Sequence, residues 1–284
     1  MPPRENPTAR QVRLGAELRK LREAAGKTAR EAAGLISSDQ AKISHMEAGR
    51  IGISEERIRR LAVFYSCDDM ALVEALCAIA REHRGKGWWD EYRGLLTPGF
   101  LDMAELEHHA TYLRCVNVIN VPGILQTEEY IRAIHRSYRP ALPAEVVDTR
   151  VEFRLRRRGV LERDAPPPLQ AIVHEAALRM RFGGSKVTKG QLEYLLQASE
   201  WPSVTVRVLP FTCEEFIEAT DAPIYAGGVV PQLDTVQLDS PMGSVYVGAE
   251  GQLNRYRMLL DFAEHSSLNE AESRQLIRHI AREL

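Results

Sequence analysis

The chain has 284 residues, 44% hydrophobic and 27% charged, which suits about two globular domains and excludes a disordered chain. No stretch approaches the roughly 18 apolar residues of a membrane span, so no membrane partner is expected. The net charge of −2 hides a division: residues 1–66 hold 13 Lys/Arg against 8 Asp/Glu, a balance of +5, and the remainder balances at −7, so only the basic head suits a polyanion.

Five short helices are predicted in that head. Leu14, Leu18, Leu21 and Ala25 form one apolar stripe, and Gly26 stops their helix. Thr28 caps a second helix, Ala29–Gly34, whose Ala32 and Ala33 are small enough to let another helix approach. After the turn Leu35–Ser38, Asp39 caps a third helix, Gln40–Glu47. Its Ile43 and Met46 point inward and leave Gln40, Ala41, Lys42, Ser44 and His45 outside. Gly49 ends it. Ser54 starts a fourth helix with Ile58, Leu61, Ala62 and Tyr65 on its inner face, and Asp68 a fifth with Leu72, Val73, Leu76, Cys77 and Ala80 buried. The run Arg84-Gly85-Lys86-Gly87 is the expected linker, dividing the chain into domains 1–84 and 85–284.

Two short helices, the second capped by Asp39 and polar on its outer side, are what a helix-turn-helix requires, with the second helix entering the major groove. The segment Thr28–Gly49, and above all Lys42-Ile43-Ser44-His45-Met46-Glu47-Ala48-Gly49-Arg50, resembles the Xre, or lambda-repressor-like, family. Ser37 stands where that family usually has a turn glycine, a departure that implies a slightly different turn geometry. The resemblance places Gln40, Ala41 and His45 at base-reading positions. There Gln40 suits adenine, Ala41 a thymine methyl and His45 guanine. It places Lys42, Ser44, Arg50 and Thr28 at phosphates, with Arg30 a weaker candidate. Lys42 and Arg50 also fit a solvated face, although the motif favours contact. For His45 both readings stay open. Glu47 reads as structural, bonded to backbone or to an arginine.

From Trp88 onward, helical patterns lie near Thr97–Ala110, Thr127–Tyr138, Pro143–Glu162, His174–Arg181, Thr188–Ser199, Gln252–His265 and Asn269–Leu284. Strand-like runs fall at Leu169–Val173, Val204–Leu209, Ile224–Tyr225, Leu233–Leu238 and Ser244–Val247. The expected fold is therefore an N-terminal all-α helix-turn-helix bundle followed by an α+β domain with a small, mostly antiparallel sheet. Trp88 and Trp89 read as residues that dock the linker onto a core. Thr127 reads as a helix cap after the turn at Pro122-Gly123. The run Arg154–Arg158, on a helix shared with Glu145, Asp148, Glu152 and Glu162, suits a salt-bridge network more than a second DNA contact.

Several of these patches, in order, resemble the C-terminal domain of bacterial Xre regulators described as antitoxin-like. They include Trp88-Trp89-x-x-Tyr92, Val121–Tyr130, Arg154–Arg158, His174–Arg179, Gly183-Gly184, Gln191-Leu192 and Val208-Leu209-Pro210. The family implies a small partner protein encoded nearby. This chain departs from it at Tyr246–Ala249, where the family often has a glutamate that here is displaced to Glu250, and at Phe211–Thr220, which lacks a glycine-rich turn.

Enzyme readings find little support. Adjacent His108 and His109 point about 100° apart on a helix and cannot easily chelate together. His174-Glu175 lacks the second histidine of a zinc-protease motif, Gly183-Gly184-Ser185-Lys186 lacks the spacing of a phosphate loop, and no nucleophile elbow occurs. Cys67, Cys77, Cys115 and Cys213 form neither a CxxC pair nor a disulfide framework. Met1–Pro7 holds no apolar run of the kind a secretory signal needs, so the expected location is the cytoplasm. The expectation is a dimeric, non-enzymatic transcriptional regulator without cofactor or metal, partnered by double-stranded DNA and a small protein. The alternatives are a regulator that senses a small molecule in its C-terminal domain, and an enzyme fused to a DNA-binding domain.

Overall fold

The computed structural model describes residues 4–82, 87–219, 221–240 and 243–284. The expected linker therefore lies, except for Gly87, outside the described residues. The chain divides into two compact units, Met1–Leu106 with Gly228–Asp234, and Glu107–Gly227 with Thr235–Leu284. Residues 88–106, assigned by sequence to the second domain, group with the first.

The first unit is a helical bundle of α1 (Ala9–Ala24), α2 (Ala29–Leu35), α3 (Gln40–Glu47), α4 (Glu55–Phe64) and α5 (Met70–Arg81). Each begins at a side-chain cap, in turn Thr8, Thr28, Asp39, Ser54 and Asp69. Thr8 and Thr28 complete capping boxes with Gln11 and Glu31. Asp69, one residue beyond the expected Asp68, starts α5 because its carboxylate reaches the Leu72 amide at 3.0 Å. The core joins Leu14, Leu18, Ala32, Ile43, Ile58 and Leu76, all buried, so the predicted inner faces meet in one cluster. Of the two tryptophans read as docking residues, in the 3₁₀ turn Trp88–Tyr92, Trp89 is buried and Trp88 half-buried; Tyr92 is buried as well. α6 (Pro98–His109) leads out of the unit.

The excursion Gly228–Asp234 joins the same bundle. Leu233 is buried in its core cluster, and Val230 packs against it. The Gln232 amide donates to Asp69 at 2.8 Å, and its carbonyl accepts from Arg13. Here the expected strand Leu233–Leu238 is corrected at its start: Pro231–Leu233 is a 3₁₀ turn, and the strand begins at Thr235.

The second unit is built on six strands: β1 (Leu113–Asn117), β2 (Leu169–His174), β3 (Val204–Leu209), β4 (Ile224–Ala226), β5 (Thr235–Ser240) and β6 (Gly243–Val247). Their order is β3-β2-β1-β4-β5-β6. The β1–β2 and β2–β3 pairs are parallel and the other three antiparallel, so the sheet is mostly antiparallel in an α+β unit. β1 was not among the expected strands. Its short stretch Leu-Arg-Cys-Val-Asn carries two polar residues, and only its position at the parallel–antiparallel junction makes it central. The helices are α7 (Glu128–Arg136), α8 (Ala144–Arg157), α9 (Glu175–Arg179), α10 (Ser185–Ala198), α11 (Glu250–His265) and α12 (Glu270–Glu283). Val116, Ile172, Tyr225 and Val236 on one sheet face pack against Leu253, Leu260 and Ala263 of α11. At edge strand β3 the Val208 amide donates to the Ser273 hydroxyl of α12 at 2.9 Å, so the edge is covered.

Candidate nucleic-acid interface

The turn between α2 and α3 is closed by the Ser38 amide, which donates to the Ala33 carbonyl at 2.9 Å. Ser37 adopts φ +51°, the left-handed conformation that favours glycine. Asp39 then accepts the Lys42 amide at 2.8 Å, and the Lys42 ammonium lies 3.2 Å from its other oxygen. These two partners hold the Asp39 carboxyl below the usual carboxylate range.

α3 is seated by its inner face. Ile43 and Met46 are buried, and α1 approaches so closely at Gly15 that a Cβ there would lie 2.4 Å from the Glu47 carbonyl oxygen. Glu47 is structural, as the sequence suggested. Arg22 of α1 grips both its carboxylate oxygens, at 2.6 and 3.0 Å, and ties α1 to the end of α3. Gly49 follows at φ +72°, with no space for a Cβ against the Gln11 backbone. The sequence flagged Glu47 but not its partner, because Arg22 lies 25 positions away and looks like any other helical arginine.

Gln40, Ala41, Lys42, Ser44 and Arg50 are all exposed, on α3 or just beyond it. His45 is half-buried, and its carbonyl accepts the Arg50 amide at 2.8 Å. The Ser44 hydroxyl donates to the Gln40 carbonyl at 3.1 Å. Thr28 is exposed, but its hydroxyl and amide both donate to the Glu31 carboxylate at 2.7 Å. Those bonds keep Glu31 ionised below the usual carboxylate range. A phosphate approaching this helix end meets a carboxylate already in place.

In the second unit the remaining motifs are largely scaffold. The segment Val121–Tyr130 is tied by the Gln126 amide to Val121, the Gln191 amide to Leu125, and the Thr127 amide to Gln191, each at 2.7 Å. Arg154 and Arg158 turn inward and donate to the Gln126 side-chain oxygen and carbonyl at 2.7 and 2.6 Å. Arg157 forms a buried two-bond ion pair with Glu107. Within the run Arg157 is buried, Arg154 and Arg158 are half-buried and tied to Gln126, and Arg156 is exposed. His174 accepts the Ala176 amide at 3.1 Å, and Glu175 accepts the Phe211 amide at 2.9 Å. Among the described residues, no group of three or more His, Cys, Asp or Glu could hold a metal ion, and no helix is long and apolar enough to cross a membrane.

Comparison with known families gives two separate matches along the chain. Residues 13–76 match a helix-turn-helix domain. Residues 100–279 match the family described as a domain of unknown function (DUF5753). No curated protein and no solved structure matches the chain. The second match covers well over half of the residues, so the chain belongs to the DUF5753 family.

Proposed function

We propose that this DUF5753-family chain is a sequence-specific transcriptional regulator that reads the major groove of double-stranded DNA with α3. One observation carries the reading: within a matched helix-turn-helix domain, α3 buries Ile43 and Met46 and leaves Gln40, Ala41, Lys42 and Ser44 exposed. In this reading Gln40, Ala41 and His45 read bases and Lys42, Ser44 and Arg50 contact phosphate. Thr28 joins them only if Glu31 swings away. The cap-to-glycine pattern from Asp39 to Gly49 favours the Xre, or lambda-repressor-like, type. One short helix in one groove makes few contacts, so the protein acts as a homodimer on a roughly palindromic operator. The antitoxin-like resemblance adds regulation by a small protein encoded nearby, acting through the C-terminal unit. The protein is not an enzyme in this account.

The test is binding of the purified full chain to the DNA upstream of its own gene, with competitor DNA and at two salt concentrations. Gln40→Ala is expected to cost about 1–3 kcal/mol at the cognate site and little on random DNA. Lys42→Ala is expected to weaken both and to flatten the salt dependence by about one released ion. Operator binding unchanged in both variants would remove α3 from the groove.

A further inference from the structure

The two edges of the sheet end differently. At β3 the Val208 amide donates to Ser273 of α12, and the Val208 carbonyl accepts the Leu268 amide at 2.9 Å, so the outer side of that strand is closed. β6 stands at the other end of the order, with β5 its one neighbour among the described strands. Their ladder runs unbroken from Val236↔Val247 to Ser240↔Gly243, so no bulge turns β6 aside. Both faces of this hairpin are occupied. On one, Val236, Leu238 and Val247 pack in the cluster beneath α11. On the other, Tyr246 stands beside Gln237, which has no exposed surface although neither of its amide atoms has a partner among the described residues. What the hairpin leaves open is its outer side, where Val245 is 55% exposed.

The edge of a sheet turns backbone N–H and C=O groups outward and is a template for another strand unless lysine, proline, an inward charge or a bulge prevents it. Gly243-Ser244-Val245-Tyr246-Val247 carries no such device and no charged residue at all. Its surroundings are the opposite: residues 201–250 hold one basic residue, Arg207, against seven acidic ones. That balance repels nucleic acid and keeps two copies apart over most of this surface, so the neutral strand is where they can meet. The strand also matches itself. Turned antiparallel about Val245, it sets valine on valine at the centre, Ser244 against Tyr246 on each side and Gly243 against Val247 at the ends. Such β-branched and aromatic residues favour cross-strand pairs, and no like charges face each other. The rotation that makes the pair is the two-fold of a closed dimer, the symmetry a palindromic operator asks for.

We propose that β6 pairs antiparallel with β6 of a second copy about Val245, joining the two sheets into one and forming the homodimer. The inference rests on the homodimer of the proposed function and not on α3 entering a groove.

The test is sedimentation equilibrium of the full chain over a wide range of concentration, without DNA. The wild-type chain is expected to dimerise. Val245→Lys sets two ammonium groups against each other at the centre and should raise the dimer dissociation constant roughly tenfold or more, whereas Val245→Thr keeps the β-branched shape and should stay within about threefold. Val245 is more than half exposed, so both variants should keep the wild-type circular dichroism. Facing residues of an antiparallel pair have Cα atoms about 4.5–5.5 Å apart, within disulfide reach. Oxidised Val245→Cys should therefore give a covalent dimer that neither the wild type nor Met258→Cys, on the exposed side of α11, gives. A dimer that Val245→Lys leaves intact, or no covalent dimer from Val245→Cys, would overturn the pairing and move the homodimer interface elsewhere. A wild-type chain that stays monomeric would overturn both the pairing and the homodimer and leave the β6 edge to an extended segment of another protein; operator binding then judges α3 separately.

Discussion

Ser37 and His135 show how a single side chain departs from what its position asks of it. Ser37 holds φ +51°, a conformation that costs an L-residue roughly 1–2 kcal/mol and glycine almost nothing. Glycine pays more entropy on folding, so Ser37→Gly is expected to stabilise the bundle by a net of about 0.5–1 kcal/mol, read from the denaturant midpoint. His135 of α7 is buried, and among the described residues neither ring nitrogen has a hydrogen-bond partner. Burial, then the charges of Arg154 and Arg150, push it down to about 3. The unfolded chain therefore takes up this proton near pH 6.5 while the folded chain resists it. The associated stability is fully present above about pH 6.5 and is lost as the pH falls toward 3. His135→Leu should flatten that acid limb in thermal melts from pH 7 to pH 4. Capped carboxylates such as Asp39 and Glu31 also lose stability on acidification, so the wild-type-minus-variant difference is the quantity to read. Equal slopes would mean that His135 is protonated in the fold.

Helices were easier to read than strands, for a physical reason. A cap and a 3.6-residue stripe are local, so Thr28, Asp39, Ser54 and Thr127 marked their helix starts directly. β1 has five residues and draws its stability from ladders to β2 and β4, which lie some 55 and 110 residues away. The seating of α3 is likewise a matter of two elements. Gly15 looks like an unfavourable helix residue until α3 is placed against it, where the Glu47 carbonyl fills the space a side chain would need. Gly15→Ala is expected to force α1 and α3 apart, costing about 1–3 kcal/mol in unfolding and weakening operator binding even though Gly15 faces no DNA. Wild-type stability in that variant would show that the helices do not approach so closely. Of the interface, the outward residues of α3 were legible. The Arg22 grip on Glu47 and the Glu31 carboxylate beside Thr28 became visible only when the partners met.

In the molecule as a whole, the chain leaves β4, contributes Gly228–Asp234 to the helical bundle and returns as β5. Leu233 is buried in the same core cluster as Leu14 and Leu76. Leu233→Ala should therefore destabilise the bundle by roughly 2–5 kcal/mol, and a chain ending at residue 106 should unfold at lower denaturant than the same bundle in the full protein. Equal stability of the truncated and full bundles would make the excursion incidental. The amino-acid pattern was enough to establish the charged head, the capped helices, the outward face of α3 and the α+β class, because each rests on neighbours within a few positions. The fate of Leu233, the buried pairing of Arg157 with Glu107, the centrality of β1 and the unsatisfied Gln237 depend on residues tens to hundreds of positions apart. Composition treats those residues as an ordinary leucine, basic residues, a weak strand and a polar strand residue. Their roles come from which groups are left to share the interior once the chain has closed.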